Sequence, residues 1–201
     1  MPRRSFGQHA SLAALVAVAA TGFSSAALAH VGDHSYMSFA GGLRHPLTGL
    51  DHMLAMVAVG LWASQLGRRA MWLLPVTFTA VMAVGAVFGF SGVALPWVEF
   101  GIAGSVLVLG AAVALALRPS LAVSVPLIAL FALLHGYSHG VELPASASAL
   151  TYGAGFVAAT LALHAIGIAL GLLANRVPVR FAARTAGGTI ACVGLLLIAA
   201  L

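Results

Sequence analysis

The sequence predicts an all-α integral membrane protein: a cleavable signal peptide followed by a six-helix transmembrane bundle. Three observations carry this. Hydrophobic residues make up 62% of the chain and charged residues only 6%, whereas a soluble domain carries about 25% charged residues. Mean hydropathy is +1.09. Beyond the N-terminal region the chain divides into apolar runs, each near the ~20 residues that a helix rising about 1.5 Å per residue needs to cross a bilayer.

The N-terminal segment has the grammar of a secretory signal. Arg3 and Arg4 form a basic region, Leu12 to Phe23 an apolar one, and Ala27-Leu28-Ala29 an A-x-A-type cleavage site. The expected division is a signal peptide over 1–29 and a six-span transmembrane domain over 30–201, with His30 as the mature N-terminus. The spans are expected at 47–66, 71–91, 98–117, 121–141, 148–173 and 181–201. Short loops between them imply antiparallel neighbours.

Charge sets the orientation. The formal charge of +5 comes from nine arginines, and the chain has no lysine. Arg68 and Arg69 fall between spans one and two, Arg118 between three and four, and Arg176, Arg180 and Arg184 between five and six. The alternate loops hold Glu99 and Glu142. The positive-inside rule puts the arginine loops in the cytoplasm and the mature N-terminus outside, which agrees with signal cleavage although the two arguments share no residues. No basic block with interleaved aromatics is present, which excludes a nucleic-acid partner. Cys192 is the sole cysteine, so no intrachain disulfide forms.

Two clusters break the apolar pattern, H45-P-L-T-G-L-D51-H52 and H135-G-Y-S-H139-G-V-E142. An ionisable residue inside a membrane costs roughly 2.5 kcal/mol upward, so such residues mark functional sites. Pro46 suits the first turn of a helix, which predicts that His45 starts span one. His45 and His52, seven apart, then share a face, with Met53 adjacent and Met56 one turn below. His135, His139 and Glu142 are spaced i, i+4, i+7, a single helical stripe. Both clusters are expected in the same outer third of the bilayer.

Imidazole binds nickel, cobalt, zinc and copper well, and carboxylates add compensating charge. Asp51 and Glu142 suit either direct ligation or the orientation of a histidine through its other ring nitrogen. Gly136 and Gly140 allow a close backbone approach or a break lining a cavity. The same polar residues could instead serve as interhelical hydrogen-bond glue.

The stretch R44-H-P-L-T-G-L-D51-H52-M-L-A-M56-V-A-V-G60 resembles the HPxxGxDHxxxMxxVG signature of the HupE/UreJ family, and L134-H135-G-Y-S-H139-G-V-E142 resembles its FHGxAHGxE motif. Leu134 stands where the family shows Phe, and Ser138 where it usually shows Ala. The start H30-V-G-D-H34 also resembles the histidine at the family's processed terminus. The resemblance implies a bacterial inner-membrane secondary permease for Ni2+, in some members Co2+, with hydrogenase, urease or cobalamin synthesis downstream. It puts His45, Asp51, His52, His135, His139 and Glu142 in the translocation path. The ion is then cargo, and no permanently bound cofactor is expected.

Further expectations follow. His30, with its free α-amino group, and nearby Asp33 and His34 form a candidate capture tip for the ion outside. His164, roughly 24 Å along span five, is a candidate lower relay or exit ligand, or a histidine bonded to a neighbouring helix. Protons compete with metal for imidazole, so uptake is expected to fall as external pH drops below about 6. With no lysine there is no P-loop, so the chain is not its own ATPase. Two other classes remain open. A zinc-dependent intramembrane hydrolase would use the same ligands, and G89-F-S91-G92 echoes the GxSG motif of rhomboid proteases. A metal-binding sensor would bind without flux. The patterns G85-x-x-x-G89 and G167-x-x-x-G171 and the pair Gly187-Gly188 are expected to be packing surfaces, and Trp62, Trp72 and Trp97 interfacial anchors.

Overall fold

The computed structural model describes residues 38–143, 149–174 and 181–201. The expected leader and the His30, Asp33 and His34 terminus lie outside the described residues. Among the described residues all regular structure is helical: α1 (Phe39–Thr48), α2 (Leu50–Leu66), α3 (Ala70–Phe90), α4 (Val98–Ala114), α5 (Leu121–Glu142), α6 (Ala149–Ala174) and α7 (Ala182–Ala199).

The expected segments are helical, but the first differs in kind. Residues 39–48 form a helix of their own, which meets α2 at 86°. Ser38 caps its start by accepting from the Gly41 N–H. Its end has a clear cause. Pro46, in the last turn, has no N–H to return to the helix, and Gly49 takes an extended backbone (φ −87°, ψ 114°). Asp51 then opens α2, where its carboxylate faces the positive end of the helix dipole. Pro46 therefore closes one helix rather than starting the span, and His45 and His52 do not share a helical face.

Four helices, α3, α5, α6 and α7, are long and apolar enough to cross a membrane, and the bent pair α1–α2 counts as a fifth when taken as one span. The remaining apolar helix, α4, has 17 residues and rises only about 25 Å, short of the ~30 Å hydrocarbon core. The chain is thus a multi-pass membrane protein of apolar helices. Large apolar side chains such as Val87, Leu150 and Leu196 are turned outward, as a lipid-facing surface requires. Cys192 is exposed there as well.

Glycines set how closely the helices approach. The carbonyl oxygens of Met82 and Ala86 on α3 occupy the space that a Cβ would need at Gly136 and Gly140 of α5. In return, the carbonyls of Leu133 and Tyr137 on α5 fill that space at Gly85 and Gly89. Four glycines thus bring two backbones into direct contact, the arrangement that dispersion and weak C–H···O contacts favour between helices in lipid. Gly167 on α6 packs likewise against the Val57 carbonyl of α2, and Gly187 on α7 against α4, whereas Gly188 faces open space. Gly136 and Gly140 therefore serve close approach and not a break, since α5 is continuous.

At the end where α2 and α4 finish, Trp62 Nε1 donates to the Leu117 carbonyl (2.9 Å), Gln65 Nε2 to Val113 (3.1 Å) and Arg184 Nε to Ala114 (2.8 Å). Trp62 is only 1% exposed, so the expected interfacial anchor is a core residue. Trp72 and Trp97 are exposed. Position near a span end does not tell which way the helix turns a side chain.

Candidate metal-ion site

At the opposite end of the bundle, three helices converge. α5 contributes His135, His139 and Glu142 along one stripe, α2 contributes Asp51 and His52 from its first turn, and the bend at Gly49 swings His45 of α1 over them. His45 Nε2 lies 3.1 Å from Glu142 Oε2, although the two are 97 residues apart. His139 Nδ1 is 3.8 Å from the same oxygen. His45, His139 and Glu142 each offer a ligand atom, all within 4.8 Å of one another.

The imidazoles continue inward as a series. Ring centroids are 4.9 Å apart for His45 and His139, 4.1 Å for His139 and His52, and 4.6 Å for His52 and His135. Exposure falls along it, from 32% for the His45 side chain to 0% for His135. Phe156 of α6 packs edge-on against His139 at 4.2 Å. His139 also borders a cavity of about 270 Å³ between α3, α5 and α6, which Phe90 and Tyr152 help to line.

Hydrogen bonds decide which nitrogens are free. Asp51 Oδ1 accepts from both the backbone N–H and Nδ1 of His52, each at 2.7 Å. The proton is therefore on Nδ1, and the Nε2 lone pair has no partner. Ser105 of α4 donates its single proton to the Ile102 carbonyl at 2.6 Å, so its contact with His135 Nε2 at 2.8 Å is a bond it accepts. That leaves the Nδ1 lone pair of His135 unpartnered, and both nitrogens of His139 are unpartnered as well. A buried polar atom without a partner costs about 1–3 kcal/mol. Four such nitrogens lie on three adjacent rings. A neutral imidazole carries one lone pair, so the rings offer three donors of the type that suits a borderline divalent cation, two of them oriented by Asp51 and Ser105.

All six residues expected in the path thus meet at one end. Met56 is fully buried in the apolar core one turn below His52. His164 stands apart from the cluster, with the Phe78 ring touching both it and His135. Ser91 donates its hydroxyl to the Phe88 carbonyl of its own helix, which gives the GxSG echo no support. Ser105, Phe78 and Phe156 were not legible in the sequence. A lone serine in an apolar helix ordinarily bonds its own turn, and nothing separates these two phenylalanines from the other eight of ten.

Comparison with known proteins identifies the family. The family model described as HupE / UreJ protein matches residues 17–197. The chain is 47% identical over 181 residues to Protein HupE of Rhizobium leguminosarum bv. viciae, covering 90% of this chain and 94% of that one. No solved structure matches. On the extent of both matches, this chain belongs to the HupE/UreJ family.

Proposed function

We propose that this protein is a secondary transporter that imports Ni2+, or Co2+, across the bacterial inner membrane from the periplasmic side. The observation that carries the reading is the set of four buried, unpartnered imidazole nitrogens on His52, His135 and His139. A protein that needed these histidines only to hold helices together would have spent those nitrogens on hydrogen bonds. His45 and Glu142, the more exposed pair, form the mouth. The ion would pass from them to His139 and on to the His52 and His135 nitrogens, exchanging one ligand at a time. Transport requires sites favourable enough to enter and weak enough to leave, and a string of overlapping partial sites meets that need better than one closed cage. The arginine loops would face the cytoplasm, and the His30, Asp33 and His34 terminus would capture the ion outside.

The test is uptake of radioactive nickel by cells expressing the chain, with cobalt, zinc and copper as competitors, in wild type and in His52→Ala and His139→Ala. Uptake that cobalt suppresses most strongly and that both substitutions abolish is the expected result. Stoichiometric zinc retained without flux would instead favour a hydrolase, and nickel bound without flux a sensor.

A further inference from the structure

Deeper in the bundle, beyond His135, lie further buried polar atoms that the site above does not use. His164 of α6 is 1% exposed, and neither of its ring nitrogens has a hydrogen-bond partner. One turn earlier on the same face, Thr160 is 0% exposed, and its Oγ1 is also unpartnered. On α3, the Thr79 Oγ1 is buried without a partner. Hydroxyls in apolar helices ordinarily satisfy themselves on the carbonyl three or four residues back. Ser64, Ser105, Thr185 and Thr189 do so here. Thr79 and Thr160 do not, and the ring of His164, one turn from Thr160, likewise bonds to nothing.

Phe78 connects His164 to the cluster above it. Its ring is fully buried, 5.7 Å from His135 on one side and 5.2 Å from His164 on the other. The series of rings that starts at His45 thus continues through one phenylalanine to a last histidine.

We propose that His164, with the Thr160 hydroxyl one turn before it, forms a second, inner station for a borderline divalent cation, and that Phe78 separates it from the outer imidazole cluster. The proposal deepens the permease reading and rests on it. One imidazole and one neutral hydroxyl make a weaker donor set than three imidazoles with carboxylates. None of the acidic residues described in the structure is placed in hydrogen-bond contact with His164. An ion moving from the outer cluster would therefore meet a weaker site next, which favours release over retention. The Phe78 ring would keep the two stations from merging into one trap, and its face attracts a cation and does not repel it.

The test uses the purified full chain titrated with Co2+ alone, whose visible absorption reports ligand number, beside radioactive nickel uptake in cells. In His164→Gln, one fewer cobalt ion per chain than in wild type is expected. Maximal uptake should fall about tenfold or more, with half-saturation unchanged because the mouth is intact. Equal cobalt counts in wild type and variant would overturn the inner station, as would unaltered maximal uptake. Should His164→Gln fail to accumulate, Thr160→Val is the second variant, expected to weaken only the looser cobalt ion, and no weakening counts against the proposal. If the wild-type chain takes up no nickel, the permease reading fails by itself, and the cobalt count still decides whether the inner station exists.

Discussion

The two ends of this bundle treat polar side chains in opposite ways. Where α2 and α4 finish, Trp62, Gln65 and Arg184 donate to three carbonyls in and just past the last turn of α4. Gln65 Oε1 is the exception there, a buried acceptor without a partner. Where α5 finishes, His52, His135 and His139 keep four nitrogens unpartnered at ring separations under 5 Å. Asp51 and Ser105 orient the His52 and His135 rings without using up their remaining lone pairs, while His45 pairs with Glu142 and the Tyr137 hydroxyl holds the Val93 and Leu95 backbone. One end spends nearly all its polar atoms on cohesion, and the other leaves histidine nitrogens in reserve.

Substitutions at the two ends should therefore read out differently. The largest effect is expected for His52→Ala and His139→Ala, which remove ligands outright. Nickel uptake should fall by about 100-fold or more, beyond the usual effect of losing an orienting partner, while thermal stability in detergent holds or rises because an unpartnered buried group is gone. Parallel losses of uptake and stability would mean that these histidines are glue, and the contrast between the ends would collapse.

Next come Asp51→Ala and Ser105→Ala. Each leaves the ligand in place but frees its tautomer, so half-saturation for nickel should rise about 10- to 100-fold, measured by uptake across a nickel series. At the opposite end, Trp62→Phe removes one hydrogen bond between helices. It should cost about 1 kcal/mol of stability, within the range for interhelical bonds in membranes, and leave uptake unchanged. The smallest effect is expected for His30→Ala combined with His34→Ala: a few-fold loss of uptake at low nickel and none at saturation. Unchanged uptake at low nickel would remove the capture tip from the scheme.

Much of the site was legible because the bilayer makes ionisable residues conspicuous. Asp51, His52, His135, His139 and Glu142 stand out in apolar runs, and the i, i+4, i+7 spacing on α5 follows from helical geometry alone. His45 also reaches the cluster, but by another route than the sequence suggests. A continuous helix from 45 to 52 would have aligned the two histidines on one face. The break at Pro46 and Gly49 instead turns α1 by 86° and sets His45 against His139 and Glu142 of α5. Among packing residues, Gly85, Gly89 and Gly167 were readable as contact surfaces, whereas Gly188 and Trp62 were not assigned correctly. Hydropathy places a residue at a depth and does not say which neighbour it faces.

By itself, then, the sequence determined the class of the protein, the approximate limits of its helices and the residue types that a metal ion would meet. These follow from composition, from the length needed to cross a bilayer and from the 3.6-residue period, all of them local properties. The tertiary structure decided which histidines touch, which of their nitrogens stay free, and that Phe78 stands between His135 and His164. Those depend on the glycine seams that bring α3 against α5 and α2 against α6, and on a serine of α4 aimed at an imidazole of α5. Such contacts join residues far apart in the chain, and no periodicity along one helix encodes the partner on another.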